Sequence, residues 1–272
     1  MRINIRDGRK IAVSQPLLNH LHRDTVCQKQ TGARVAQIVK ADAPQMMIPQ
    51  DTFIDIFQKY SFPTYFFNSL LAAGVSTLVS LLFYAMGAYV IAKFEFPGRK
   101  LLFALFTITL LVPSHSKTQP IFSLITKLNL YDSIWGITLV YLSAGMAMSI
   151  FVLKAGFMAI PKSLDEAATL DGASFFRTFW TINLPLVKSA LATAGILMFL
   201  GNWNEYYFAS LLTVSDSQRT LPIALAFFTS EFPYNYTQLF AALTIVILPG
   251  IILYAIAQDQ VQASVAASGV KG

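Results

Sequence analysis

Residues 66–92 read FFNSLLAAGVSTLVSLLFYAMGAYVIA, a run without a single charged side chain. A helix needs about 20 apolar residues to cross the hydrocarbon core of a bilayer, so this run is long enough to span a membrane. Similar runs follow over residues 101–125, 134–153, 184–212 and 238–257. Because unpaired backbone groups are costly in lipid, the sequence predicts an all-α fold, a polytopic bundle with five membrane helices.

The composition of the whole chain also indicates a membrane protein. Of its 272 residues, 55% are hydrophobic and only 12% are charged, and the mean hydropathy is +0.55. Soluble domains carry roughly 25% charged residues. The net charge of +6 is typical of some nucleic-acid-binding proteins. In a chain this apolar, however, basic loops beside anionic lipid explain the excess more simply. We therefore expect membrane lipid, and no nucleic acid, among its partners.

The sequence shows no catalytic or metal-binding pattern. The single cysteine, Cys27, cannot form an internal disulfide, and three scattered histidines lack the spacing of metal ligands. There is no GxSxG motif, no glycine-rich nucleotide-binding loop and no recognisable pair of carboxylates. We expect no catalytic residue, no metal site and no cofactor in this chain, which is then not an enzyme.

A polar loop, residues 154–183, lies between the third and fourth predicted spans. Ser163 and Glu166 have the spacing of a capping box, which predicts the start of a short helix. Gly172 follows the last good helix former, where a left-handed residue often ends a helix. Residues at spacings of three and four would give this helix a shallow apolar stripe that fits a groove, formed by Leu164, Ala167, Ala168 and Asp171.

The spacing along this loop resembles the EAA motif of the membrane subunits of binding-protein-dependent ATP-binding-cassette importers. The fixed positions of that motif are all filled here, by Glu166, Ala167, Ala168, Gly172, Ile182, Leu184 and Pro185. The resemblance runs from about Ile48 to Gly272. In that family the helix is the coupling helix, which docks in a groove of an ATPase subunit.

Residue roles in the loop follow from this resemblance. It implies that Glu166 caps the helix and contacts the ATPase, that Ala167 and Ala168 allow close approach, and that Gly172 permits the turn. Ser163 and Asp171 belong to the same expected contact region.

The resemblance also implies partners and a location. The chain would work with two ATP-binding-cassette ATPase subunits, which bind the ATP, a second homologous permease and an external solute-binding protein. It would lie in the inner (cytoplasmic) membrane as a multi-pass protein.

Three short sequences look like the carbohydrate, maltose-type branch of the family, which carries sugars, polyols or glycerol phosphate: Asn202 to Glu205, Leu221-Pro222 and Val270-Lys271-Gly272. An ATPase-independent channel or secondary transporter, and a non-functional permease remnant, are the alternatives.

A polar cluster lies near the middle of the fourth predicted span, formed by Asn202, Trp203, Asn204, Glu205 and Tyr206. Polar groups inside a membrane are expensive and often functional. On a continuous helix Asn202, Glu205 and Tyr206 share a face with Ala209, and amides, a carboxylate and aromatic rings suit a sugar-like solute. Alternatively, Asn202 and Glu205 bond to neighbouring helices as packing contacts, and Trp203 only packs.

Basic residues in the loops predict the orientation of the bundle. We call the polar loop of residues 154–183 the Glu166 loop. If it lies in the cytoplasm, that side of the membrane carries eight basic residues, and the opposite side carries Lys117, Lys127 and Arg219. The eight are Lys93, Arg99, Lys100, Lys154, Lys162, Arg177, Lys188 and Lys271. The C-terminus is then cytoplasmic, and the chain before Phe66 starts outside.

The first 60 residues conflict with this orientation. They hold nine basic side chains and no apolar run of spanning length, and basic segments near a span resist export. Members of the importer family usually begin with one more span, which is not evident here. Three explanations are open: a natural five-span variant, an N-terminus altered by a frame change or misplaced start, or a partly inserted segment. We expect residues 1–60 to be an atypical segment and residues 61–272 to form the membrane domain.

Polar residues interrupt the second predicted span at Pro113-Ser114-His115-Ser116-Lys117, where members of the family usually keep an apolar stretch. One interpretation is that the helix breaks and lines a water-filled cavity, which would favour anionic or phosphorylated solutes. The other, which we favour, places the segment near the outer interface, where Lys117 snorkels to water.

Overall fold

A computed structural model describes residues 61–230 and 236–269, together with residues 2–4, 10–12, 51–53 and 57. The chain divides into two compact units, Met1–Pro49 and Gln50–Gly272. Most of the basic segment 1–60 and the Val270-Lys271-Gly272 ending lie outside the described residues. The predicted domain boundary and the three explanations of the N-terminus therefore stay predictions.

The first unit contains a short pair of strands that the sequence analysis did not predict. Strand β1 (Arg2–Asn4) pairs antiparallel with β2 (Lys10–Ala12), and Ile3 lies opposite Ile11.

The second unit is helical throughout the residues that the structure describes, which confirms the all-α prediction. Its α-helices are α1 (Phe62–Lys93), α2 (Arg99–Ile108), α3 (Thr118–Lys127), α4 (Ile134–Leu142), α5 (Met146–Ala159), α6 (Lys162–Leu170), α7 (Phe175–Thr178), α8 (Leu184–Leu186), α9 (Lys188–Trp203), α10 (Tyr207–Leu212), α11 (Leu221–Ser230) and α12 (Tyr236–Gly269). Three 3₁₀ turns cover Thr109–Leu111, Ser114–Lys117 and Asp216–Gln218, and a π-helical segment covers Phe179–Asn183.

Two stretches of the described chain are long and apolar enough to cross a membrane as single helices. They are α1 and residues Tyr236–Ile256 of α12. Three further candidates are pairs bent at a short break: Arg99–Leu111 with Ser114–Lys127 at 103°, Ile134–Leu142 with Met146–Ala159 at 47°, and Phe175–Leu186 with Lys188–Trp203 at 79°. Counted with each bent pair as one span, these make five, the number predicted.

The predicted boundaries of the fourth span are wrong. Residues 184–212 were expected to form one helix, but the bent span begins at Phe175 and its last helix, α9, ends at Trp203. Asn204 takes a non-helical conformation, and a separate helix, α10, begins at Tyr207. The chain breaks here because the Glu205 carboxylate accepts hydrogen bonds from free backbone N–H groups at the start of α10, which gives the backbone an alternative to a continuous helix.

The second span breaks at Pro113, as one of the two interpretations required. Residues 114–117 form a 3₁₀ turn in which Ser114, His115 and Ser116 are exposed. The His115 ring packs edge-on against Tyr207, 4.3 Å between ring centres. A water-filled cavity at this break and a snorkelling Lys117 both stay predictions.

Small residues on one face of α1 let neighbouring helices pack closely against it. Buried residues at four-residue intervals form this face, and all except Tyr84 are small: Ala72, Ser76, Ser80, Tyr84 and Ala88. Small side chains allow backbones to approach, which is the usual basis of helix packing in membranes. Ser80 and Tyr84 both donate to the carbonyl of Leu142 at the bend between α4 and α5, at 2.7 and 2.5 Å. The face therefore anchors a bent span as well as packing it.

Asp132 organises the loop at the end of the bundle opposite the Glu166 loop. Its carboxylate accepts hydrogen bonds from the backbone N–H groups of Val214 and Ser215 and from the Ser215 hydroxyl, at 2.7, 2.9 and 2.5 Å. The Ser215 hydroxyl, followed by the two backbone N–H groups, lowers the pKa of the Asp132 carboxyl below its ordinary value. The ionised carboxylate therefore stabilises the contact between the α3–α4 loop and the segment after α10.

This contact predicts an acid-sensitive contribution to stability. Because the pKa of Asp132 is lower in the folded state, its contribution is full above the unfolded value of about 4 and is lost as the pH falls through the folded value. Between about pH 5 and about pH 3 we expect the unfolding midpoint in detergent to fall less for Asp132→Asn than for the wild-type chain. Asp171→Asn, which removes an exposed carboxylate elsewhere, is the control. An equal acid response of the wild type and Asp132→Asn would contradict the prediction.

Candidate functional site

The short helix in the polar loop is present as α6, but it starts differently from the prediction. Pro161 is its N-terminal cap residue and Lys162 its first residue, so Ser163 already lies inside the first turn. No side chain caps this end, and the predicted capping box of Ser163 and Glu166 is wrong. The physical reason is that a serine one position inside the helix cannot accept from the backbone N–H that a cap residue reaches.

The outward face of α6 also differs from the predicted stripe. Ala168 is 4% exposed and points into the protein, so it does not share an accessible surface with Leu164, Ala167 and Asp171. Exposed residues at spacings of three and four instead form what we call the docking face: Ser163, Glu166, Ala167 and Leu170. Leu170 is 89% exposed, so the described part of the chain leaves this large apolar side chain at the end of a helix uncovered.

Gly172 ends α6 in the left-handed conformation that the sequence predicted, with φ of +75°. The Ala173 N–H donates to the Ala168 carbonyl at 2.9 Å, and the Gly172 N–H donates to the Thr169 carbonyl at 3.0 Å. This pair of bonds is the Schellman arrangement, which satisfies carbonyls that the helix end would leave free. A Cβ atom at Gly172 would meet nothing within 4 Å, so the backbone conformation, and not space, requires glycine.

The inner face of α6 is held by contacts among three residues that the sequence analysis missed as site residues, Lys93, Asp165 and Asn183. The Asp165 carboxylate forms an ion pair with Lys93 at the end of α1, 2.7 Å between Nζ and Oδ2. It also accepts a hydrogen bond from the side-chain amide of Asn183, 2.6 Å between Nδ2 and Oδ1. The sequence signal for Asn183 is an amide between two apolar residues, Ile182 and Leu184. The structure buries this amide at the end of a π-helical turn.

The remaining motif residues lie beside Asn183 in the sequence. Ile182 and Leu184 are half-buried and Pro185 is exposed near the start of α8. The described polar link between this end of the loop and α6 comes from Asn183. The predicted ATPase contacts of Ile182, Leu184 and Pro185 stay predictions.

The polar cluster at residues 202–206 is split by the end of α9, so the predicted shared face of Asn202, Glu205, Tyr206 and Ala209 is wrong. Asn202 is 4% exposed and donates to the Ser76 hydroxyl on α1 at 3.0 Å. Trp203 is 2% exposed and donates from Nε1 to the Val246 carbonyl on α12 at 3.0 Å. These two side chains hold helices together, which is the packing interpretation.

Glu205 is occupied by contacts within the protein. Its carboxylate accepts from the backbone N–H groups of Phe208 and Ala209, at 2.8 and 3.1 Å, and from the Tyr141 hydroxyl at 2.9 Å. A carboxylate with three donors already bound has little hydrogen-bonding capacity left for a solute.

Asn204 and Tyr206, in contrast, are exposed. Both line a cavity of about 460 Å³ whose other walls are apolar, among them Pro222, Leu225, Leu239 and Leu243. The Asn204 amide donates to the Leu200 carbonyl at 2.8 Å, which turns its oxygen away from its own helix. An amide oxygen, a phenol hydroxyl and apolar walls suit a small polar solute with apolar faces.

Comparison with known families decides the identity of this bundle. Residues 84–267 match the family described as binding-protein-dependent transport system inner membrane component, over more than half of the chain. The chain belongs to this family. The resemblance drawn from the Glu166 loop is thereby confirmed, and the protein is an integral membrane permease.

Curated relatives of this permease match over most of their length. The inner membrane ABC transporter permease protein YcjP of Escherichia coli is 32% identical over 83% of each chain. The trehalose transport system permease protein SugB of Mycobacterium tuberculosis is 32% identical over 82% of each chain. The arabinooligosaccharides transport system permease protein AraQ of Halalkalibacterium halodurans is 34% identical, over 82% of this chain and 79% of the relative.

A solved structure shares the fold. A chain of a bacterial ABC transporter involved in the import of the acidic polysaccharide alginate superposes with a TM-score of 0.69 at 22% identity, covering 92% of this chain and 99% of that one. A second structure contains the alginate transporter in complex with an alginate-pentasaccharide-bound periplasmic protein, with a TM-score of 0.56 at 18% identity, covering 89% of this chain and 92% of that one.

Proposed function

We propose that this permease is the transmembrane subunit of an ATP-driven importer that carries a carbohydrate or a related solute, a sugar, polyol or glycerol phosphate, across the cytoplasmic membrane. The observation that carries the proposal is α6, a helix that matches the coupling-helix pattern of its family and presents an uncovered docking face. The substrate class is supported by relatives named for trehalose and arabinooligosaccharide transport.

The proposed importer needs three further kinds of subunit. Two ATPase subunits would bind ATP and receive α6, a second homologous permease would form the other half of the path, and an external solute-binding protein would deliver the solute. The periplasmic protein in the alginate transporter complex supports this last partner by analogy. An uncovered Leu170 supports the first, because a large apolar side chain at 89% exposure is stabilised when a partner covers it.

Co-purification followed by transport tests this function. The chain would be tagged, extracted in mild detergent with its bound subunits and reconstituted in vesicles together with its solute-binding protein. We expect an ATPase and a second permease to be retained, and uptake of a labelled oligosaccharide to require hydrolysable ATP. Uptake without a nucleotide-binding subunit would instead establish a channel or secondary transporter.

The cavity at Asn204 and Tyr206 is the proposed solute contact within this chain. Tyr206→Phe removes one hydroxyl and leaves the ring, so the loss is limited to a hydrogen bond with the solute. At about 0.5–1.5 kcal/mol, this loss should raise the KM for uptake roughly 2- to 10-fold.

Tyr131→Phe is the matched control for Tyr206→Phe. Tyr131 is 41% exposed, against 48% for Tyr206, and lies away from the cavity lining. We expect its KM to equal that of the wild type. Equal KM values for the two variants would remove Tyr206 from the path.

A further inference from the structure

Asp165 makes the polar side-chain contacts that join α6 to the membrane helices in the described part of the chain. One carboxylate oxygen pairs with Lys93 at the last residue of α1, and the other accepts from Asn183. The Thr169 hydroxyl bonds within α6, to the Asp165 carbonyl. Apart from Asp165, which is partly buried, and Ala168, the residues of α6 are exposed. A nine-residue helix is not stable alone in water, so its attachments decide where it lies.

Lys93 is buried for a lysine, with a side chain that is 5% exposed. Its ammonium group also donates to the Ile160 carbonyl at 2.9 Å, just before α6 begins. A buried ammonium group needs both a counter-charge and hydrogen-bond acceptors, and removing one partner of such a pair is strongly destabilising locally. The end of α1 is therefore bonded both to α6 and to the chain that leads into it.

Asn183 supplies the second side of the attachment and is fully buried. Its Nδ2 donates to Asp165 and, at 3.3 Å, to the carbonyl of Thr178, the last residue of α7. Carboxylate and carbonyl oxygens only accept, so the NH₂ group must face them and Oδ1 is turned away. Among the residues that the structure describes, none donates a hydrogen bond to that Oδ1. An unpaired buried acceptor is unfavourable, so the contact of Nδ2 with the Asp165 carboxylate is kept at a cost to the fold.

Packed aromatic rings surround this attachment. Tyr89, one turn before Lys93, contacts the rings of Phe157, Phe175 and Phe179, with ring centres 5.2–5.5 Å apart. These rings come from α5, α7 and the π-helical segment. A displacement transmitted to Asp165 therefore acts on several packed elements at once.

We propose that Lys93, Asp165 and Asn183 are positioning residues that fix the coupling helix to α1 and to the π-helical segment, so that these elements move as one unit when an ATPase displaces α6. This inference rests on the proposed importer function. It assigns to the inner face of α6 a role separate from that of the docking face.

The ratio of solute taken up to ATP hydrolysed tests the role of this attachment. In the complete importer, Asp165→Asn keeps the shape of the side chain but leaves the Lys93 ammonium without a counter-charge. We expect subunit assembly and ATP hydrolysis to persist, and uptake per ATP to fall about tenfold or more, because α6 would move without α1. Lys93→Met combined with Asp165→Asn leaves no buried charge unpaired but still lacks the ion pair, so its ratio should stay low. Recovery of the wild-type ratio by this double variant would show that an unpaired charge, and not the lost attachment, caused the defect, and would overturn the proposal.

Matched controls come from the opposite end of the bundle. Lys127→Met removes an exposed lysine from the last turn of α3, and Asp216→Asn removes an exposed carboxylate from its ion pair with Arg219. Exposed ion pairs contribute little to stability, so both variants should keep the wild-type ratio. A wild-type ratio for Asp165→Asn would overturn the proposal. So would hydrolysis and uptake that fall in equal proportion, which indicates a structural role alone.

A second measurement separates this inference from the importer function. With Cys27→Ser as background, a spin label at Leu170→Cys reports the mobility of α6 in the isolated chain, without any ATPase. Asp165→Asn should increase that mobility, while Asp216→Asn should not. Unchanged mobility would overturn the attachment even if the importer function holds. Failure of the wild-type complex to couple ATP to uptake would instead defeat the proposed function.

Discussion

Replacement of Gly172 with valine is expected to abolish ATP-driven uptake while the protein remains in the membrane. Gly172 has φ of +75°, and a β-branched residue in this region is a genuine outlier that costs about 1–2 kcal/mol or more. The strain falls on the bonds that end α6, from Gly172 to Thr169 and from Ala173 to Ala168. The direction in which the docking face points would then change. Uptake and retention of the ATPase in purified complexes measure the effect.

Two further substitutions at Gly172 test whether backbone conformation or side-chain size causes the loss of uptake. Asparagine is larger than alanine but tolerates the left-handed region, so Gly172→Asn should retain more uptake than Gly172→Ala. This order follows because a Cβ atom at this position meets nothing within 4 Å. A reversed order would show that size controls the site. Normal uptake by a well-expressed Gly172→Val variant would contradict the coupling role of this turn.

The apolar helical stretches could be recognised in the sequence because length and apolarity are local properties. The positions of the bends within these stretches were harder to predict. Pro113 marked one break, since the polar residues after it already interrupted the apolar run. The 79° bend between Leu186 and Lys188 lies beside apolar residues, and nothing in their hydropathy distinguishes a bent pair from a straight helix.

The structure of the Glu166 loop could be predicted where a single residue determines the backbone conformation. Glycine at 172 is the residue that a left-handed helix end requires, and the structure has that end. The start of α6 was predicted wrongly because Pro161, rather than Ser163, takes the cap position. The contact of Lys93 with Asp165 joins residues 72 positions apart (165 less 93), so it depends on how α1 packs against the loop. One sequence does not reveal such a pairing.

The sequence analysis assigned one role to all five residues from Asn202 to Tyr206, but the structure places only Asn204 and Tyr206 of these at the cavity. That assignment assumed a continuous helix through residue 205. Instead, Glu205 satisfies backbone N–H groups at the start of α10 and bonds to Tyr141, so it stabilises the break. A side chain that bonds to backbone N–H groups competes with the continuation of the helix, and hydropathy does not show which of the two is more stable.

Trp203→Ala is expected to destabilise the bundle by about 3–5 kcal/mol, the range for removing a fully buried large aromatic side chain. The Trp203 ring contacts Phe66 of α1 and stacks on Phe199 of its own helix, with ring centres 5.6 Å apart in each case. Its N–H reaches the Val246 carbonyl of α12. The substitution leaves a cavity where α1, α9 and α12 meet. A lower unfolding midpoint in detergent and reduced accumulation in membranes measure the effect.

Two other tryptophan substitutions give this prediction its controls. Trp203→Phe keeps an aromatic ring and loses only the N–H donor and part of the volume, so it should cost roughly 1–2 kcal/mol. Trp135→Ala removes a side chain that is 54% exposed and should cost less than that. Equal unfolding midpoints for Trp203→Ala and Trp135→Ala would contradict the packing role. A Trp203→Ala chain that is stable but fails in uptake would instead place Trp203 on the solute path, because lost packing would then not explain the defect.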